Sequence, residues 1–129
     1  MALSFVNVRV LFVAIFVAAV MNNICSATEI TVGDGTGWTT SFDYQAWSKD
    51  KTFKIGDTLV FKYPVGVHNV VEVDENGFTN CRTSNELGKT FTSGNDQITL
   101  DKLGNRWFIC GIPGHCDLGM KLSINVIPI

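Results

Sequence analysis

The chain has 129 residues, with 10 Lys plus Arg against 12 Asp plus Glu and a formal net charge of −2. That balance argues against nucleic acid or an anionic membrane surface as partner, because both are bound through clustered positive charge. It leaves carriers, enzymes and binding modules open.

The predicted elements begin with a segment to be removed. Arg9 precedes an unbroken apolar run from Val10 to Met21, and the small residues Cys25 and Ala27 follow at the spacing a signal peptidase reads. A run of 12 residues is too short to span a bilayer and fits the core of a secretory signal. A buried core helix is the competing reading, but no polar face interrupts the run. Cleavage after Ala27 is expected, so residues 1–27 are a signal and residues 28–129 a single secreted domain, large enough for one core. Its loss removes Arg9 and no acidic group. NNIC does not suit lipid attachment at Cys25. The C-terminal MKLSINVIPI has no polar spacer followed by a long apolar tail, so no membrane anchor is expected. No repeat, charge block or linker divides residues 28–129, and no Asn-x-Ser/Thr acceptor occurs.

Along the mature chain the period is two. ITV opens at Ile30, and TLVFKY puts Leu59, Phe61 and Tyr63 on one face. VVEV follows His68. In MKLSINV, Met120, Leu122, Ile124 and Val126 alternate with Lys121, Ser123 and Asn125, a half-buried strand pattern. GDGTGW, KIGD, DENG, SGND and DKLGN punctuate these runs as turns. YQAWS, Tyr44–Ser48, is the exception, one or two helical turns with Asp43 as N-cap. The pattern predicts an all-β fold, an antiparallel sandwich or barrel, with Trp38, Trp47, Phe53, Phe61, Phe91, Trp107 and Phe108 inside.

Scarce residue types crowd into one loop, CGIPGHCDLGMK, Cys110 to Lys121. Beyond residue 27 the cysteines are Cys81, Cys110 and Cys116, and three cannot all pair within one chain in an oxidising compartment. A Cys81–Cys116 bridge would close a large loop and leave Cys110 over. A Cys110–Cys116 bridge would leave Cys81. His115 lies five residues after Cys110, and Met120 five after His115. Gly111, Pro113 and Gly114 allow the loop to curl so that a thiolate, an imidazole and a thioether converge. A soft thiolate with imidazoles and a weak axial Met is the ligand set of blue copper electron-transfer sites. That set needs a second histidine, and the one other in the chain is His68. Zinc is the rival, but structural zinc takes four strong ligands and Met is not a usual one.

GVHNVV, the Cys-x4-His-Cys-x3-Met loop, Cys81, GDGTGW and TFKIGDTLVFKY together resemble the phytocyanins, the plant-secreted blue copper proteins. The resemblance covers essentially all of residues 28–129, and Met at position 120 is similar to the plantacyanin and uclacyanin branch. It implies a cupredoxin Greek-key β-sandwich with one or two short helices. Copper would be held by His68, Cys110, His115 and Met120, and a Cys81–Cys116 disulfide would steady the loop. It also implies that Asn69, beside the first ligand, steadies the site through hydrogen bonding.

The function expected is a one-electron carrier, monomeric, meeting an unknown redox donor and acceptor in transient encounters. Electrons would pass at the exposed edge of His115, ringed by Ile112, Pro113 and Val65. An oxidase needs an open coordination position, and four protein ligands leave none. The alternative is an extracellular signalling or cell-surface interaction protein built on a copper-binding fold.

Overall fold

The computed structural model describes residues 27–129. The segment expected to be a secretory signal, residues 1–27, therefore lies outside the described residues except for Ala27. Among the described residues eight strands are arranged in two sheets, with two short α-helices: β1 (Glu29–Thr31), α1 (Tyr44–Lys49), β2 (Phe53–Lys54), β3 (Thr58–Lys62), β4 (Val70–Val73), α2 (Glu75–Asn80), β5 (Glu86–Phe91), β6 (Asn95–Thr99), β7 (Gly104–Ile109) and β8 (Lys121–Ile127). The smaller sheet has the order β1-β3-β6 and the larger the order β2-β8-β7-β4-β5.

Between the sheets lies the main core. Leu59 and Phe61 from β3, Phe108 from β7 and Leu122 from β8 are all fully buried there with Met120. Along β8 the alternation read from the sequence holds, since Leu122, Ile124 and Val126 are buried and Asn125 is exposed. β3 departs from it. Val60 is buried as well as its two neighbours, as suits the middle strand of a sheet. Trp38 packs edge-on to Phe61 at 5.0 Å and tilted against Tyr44 at 4.9 Å.

A smaller core covers the outer face of the larger sheet. Val71, Val73, Ile109 and Cys116 are buried there under Phe78, Cys81 and Trp107. The helix α2 brings Phe78 and Cys81 over this face.

Three expectations are corrected, and one strand was missed. The sheets are mixed rather than antiparallel throughout, because β1 runs parallel to β3 and β2 parallel to β8. Alternation specifies which face is buried and carries no information on strand direction. DENG is not a bare turn. Asp74 accepts the Gly77 N–H at 2.8 Å and the chain continues as α2. Trp47, Phe91 and Trp107 are half-buried rather than interior. Trp107 lies one residue out of phase with Phe108 and so belongs to the opposite face. β5 escaped the pattern because it is an edge strand with five of its six residues exposed, so neither face imposes a period.

The predicted helix forms where expected, with the Asp43 carboxylate accepting the Ala46 N–H at 3.0 Å. The GDGTGW loop is held by its own contacts. Gly37 approaches β3 so closely that a Cβ would meet the Lys62 carbonyl oxygen at 2.6 Å. The Tyr44 hydroxyl donates to the Gly37 carbonyl at 2.6 Å and accepts from the Thr39 N–H at 2.8 Å. Burial pushes that hydroxyl up to about 12, so it stays a donor. Trp38 is thereby fixed in the core.

Candidate metal centre

Strand pairing brings two loops to one end of the larger sheet. β7 pairs with β8 through Ile109↔Lys121 and with β4 through Val71↔Ile109. Cys110 follows β7 and Met120 precedes β8, so the Cys110 N–H meets the Met120 carbonyl oxygen at 3.0 Å. His68 lies just before β4, on the other side of β7.

Between Cys110 and Met120 the chain forms a compact loop. Gly114 takes φ +82°, a left-handed conformation that a side chain would strain. His115 follows it, donates its N–H to the Ile112 carbonyl at 3.1 Å, and accepts at its carbonyl from Met120 N at 3.2 Å. Both chain directions at His115 are thus tied.

Three donor atoms converge. One ligand atom each from His68, Cys110 and His115 lies within 4.8 Å of the others. The two imidazoles face each other through Nδ1 at 3.1 Å, and the Cys110 Sγ lies 3.7 Å from the His115 Nδ1. Their ring planes stand at 69° with centroids 5.0 Å apart, so the rings converge on a point without stacking. Cys110 is 1% exposed and Met120 fully buried in the same core cluster, whereas His115 is partly exposed. Burial, and then the neighbouring His115, push the His68 imidazole below its ordinary value. A neutral imidazole keeps the lone pair that a metal needs.

Two hydrogen bonds brace the cluster from outside. The Asn69 side-chain oxygen accepts the Gly111 N–H at 2.5 Å, linking the His68 segment to the Cys110 loop. The Trp38 indole N–H donates to the Asn69 carbonyl at 2.9 Å. Cys81 and Cys116 are disulfide-bonded, and Cys110 is the free cysteine among the described residues. The bridge ties the residue next to His115 to the end of α2.

A second polar group lies behind His68. The Tyr63 ring stands edge-on to it with centroids 6.3 Å apart. The Tyr63 hydroxyl donates to the buried Asp96 carboxylate, which also accepts from the Ser93 N–H at 3.0 Å. Burial and Asp96 both push the Tyr63 hydroxyl well above its usual range. Sequence spacing could not reveal this group, because Tyr63 and Asp96 stand 33 positions apart. The Trp38–Asn69 bond was hidden for the same reason.

A buried soft thiol with two imidazole nitrogens suits copper better than a hard cation, which would seek oxygen donors. Two stacked sheets with this donor set at one end define a cupredoxin-type copper protein. The family model described as a plastocyanin-like domain matches residues 38–120. A blue copper protein of Petunia hybrida is 54% identical over 100 residues, covering 77% of this chain and 37% of that one. A blue copper protein of Pisum sativum is 49% identical over 100 residues, covering 78% of this chain and 52% of that one. The chain thus spans between about a third and a half of the length of these two relatives. Among solved structures, the cucumber basic protein, a blue copper protein, matches with a TM-score of 0.69 and 45% identity, over 77% of this chain and 99% of that one. The chain belongs to the plastocyanin-like copper-binding family, and within it to the phytocyanins, whose cofactor is copper.

Proposed function

We propose that the chain is a secreted one-electron carrier in which His68, Cys110 and His115 would hold copper, with Met120 as the fourth ligand. The observation that carries this reading is the convergence of a buried thiol and two imidazole nitrogens within 4.8 Å. Bound there, copper supplies a Cu(I)/Cu(II) couple, with a potential that depends on the axial ligand and on the dryness around the sulfur.

The residues of the chain divide the remaining work. Cys110 is shielded from water by the core that Phe108, Met120 and Leu122 build around it. Asn69 and Trp38 hold the His68 segment against the Cys110 loop, and the Cys81–Cys116 bridge holds the far side of that loop. A frame braced on both sides favours one arrangement of donors in both oxidation states, which keeps reorganisation small. His115 is the member of the cluster that reaches the surface. Beside it in the same loop the exposed Pro113 and the half-buried Ile112 offer an apolar, uncharged surface suited to brief contact with a redox partner, to which Val65, 72% exposed, would add. With four protein ligands no position is left for a substrate, so the reading is of a carrier and not an oxidase.

Secretion is supported by the signal-like run Val10–Met21 and by a disulfide, which persists in oxidising compartments. Titrating the copper-loaded protein with ascorbate under argon tests the carrier reading. Reversible bleaching by one electron per copper is expected. Consumption of ascorbate with turnover of oxygen would favour an enzyme.

A further inference from the structure

Far from the metal centre, Asp57 is 5% exposed, in the turn between β2 and β3. Its Oδ2 accepts the Lys54 N–H at 2.9 Å within that turn. Its Oδ1 accepts the backbone N–H of Thr28, 29 positions earlier, also at 2.9 Å. Closing the turn requires one oxygen and no charge, and an Asn side chain could do the same. A buried carboxylate is costly unless its charge is matched. Among the described residues, the ion pairs are Lys51–Asp34 and those of Arg106 with Glu72 and Asp101, and none includes Asp57.

The atom opposite Asp57 Oδ1 changes its charge if the chain is processed. Hydrolysis of the Ala27–Thr28 peptide bond by a processing protease consumes one water. It leaves a carboxylate on Ala27 and an amine on Thr28, which is protonated at neutral pH. We propose that Asp57 is the receptor for this new amino terminus: cleavage after Ala27 turns an amide donor into an α-ammonium, and Asp57 holds it as an ion pair that fastens β1 against β3. The inference rests on the secretory reading above.

The geometry is already set for that exchange. The Thr28 carbonyl accepts the Thr58 N–H at 3.0 Å, so the residue is held from both sides. Ala27 and Thr28 are exposed, which leaves room for an ammonium in place of the leader. Thr28 and Asp57 line a surface cleft of about 460 Å³ whose other charged groups are Glu29, Asp34, Lys51 and Lys54. Lys51 is paired with Asp34 at 3.6 Å. Asp57 is the one of these carboxylates in direct contact with the Thr28 nitrogen. The present bond is charged on the acceptor side only, and the ammonium makes it charged on both sides.

The full 129-residue chain, expressed in a secretory host and loaded with copper, provides the test. Sequencing the secreted product identifies its first residue, and carbon-13 methylation of the α-amine followed by NMR titration measures its acidity. The expected result is a chain beginning at Thr28 whose α-amine is at least tenfold less acidic than an ordinary terminus, returning to ordinary acidity in Asp57→Asn. A chain that begins at Thr28 with an ordinary amine overturns the role of Asp57 and leaves the secretory reading intact, as does a secreted chain that begins elsewhere. A product that retains residues 1–27 contradicts the secretory reading and the inference with it. Should Asp57→Asn fail to fold, the titration of the unmodified protein decides.

Discussion

The Trp38 indole N–H donates to the carbonyl oxygen of Asn69 at 2.9 Å, across 31 positions of sequence. Asn69 in turn takes the Gly111 N–H, so a buried tryptophan braces two ligand-bearing segments through one residue. Trp38→Phe keeps the aromatic packing against Phe61 and Tyr44 and deletes the donor. The Asn69 carbonyl then loses its partner in a part-buried site, at a cost of about 1–3 kcal/mol. Chemical denaturation should register that loss, and copper should pass to a chelator faster than from the unmodified protein. Unchanged stability and unchanged copper retention would mean that the brace is dispensable.

The disulfide gives a second prediction. Cys81 and Cys116 are separated by 35 positions, and holding a loop of that size closed in the unfolded state costs about 3–4 kcal/mol in the chain-entropy model, which favours the folded chain. Replacing both with Ser should lower stability by roughly that amount. The double variant, once loaded with copper, should stay blue, because neither sulfur is among the converging donors. A folded but colourless double variant would tie the bridge to the metal itself.

Legibility divides along the same line as these contacts. β8 was readable because one face is buried and the period of two is clean, and β4 because it is a short β-branched run, with Val70 and Val71 buried on opposite faces. β5 was not, since both its faces are exposed. Strand direction was unreadable for β1 and β2, whose parallel partners come from distant sequence. The three converging side chains were legible because Cys110 and His115 share one loop and His68 completes the chain's stock of imidazole. Trp38, Tyr63 and Asp96 were not legible as parts of the site. Their contacts span about thirty positions, and no spacing rule connects them.

Met120 supports a third prediction. It is fully buried beside Cys110, and a thioether is a soft donor that favours Cu(I). Gln offers a harder amide oxygen, which favours Cu(II). Met120→Gln should lower the reduction potential by on the order of 100 mV while the protein stays blue, where each ~59 mV is a tenfold change for one electron. Met120→Leu removes the donor without adding a hard one and should raise the potential or leave it nearly unchanged. Voltammetry on the two variants separates an axial ligand from an ordinary core residue. An upward or absent shift in Met120→Gln would return Met120 to the core.

The central claim is that the Cys110 sulfur binds copper. The copper-loaded protein should carry an intense visible thiolate-to-copper band that ascorbate bleaches. Cys110→Ser nearly preserves the volume of a side chain that is 1% exposed, so the variant should fold and still take up copper through its imidazoles. The most direct measurement is the visible absorption spectrum of copper-loaded Cys110→Ser, with circular dichroism to establish that it is folded. The account predicts complete loss of the band in a folded protein. A band that survives in the folded variant would contradict it.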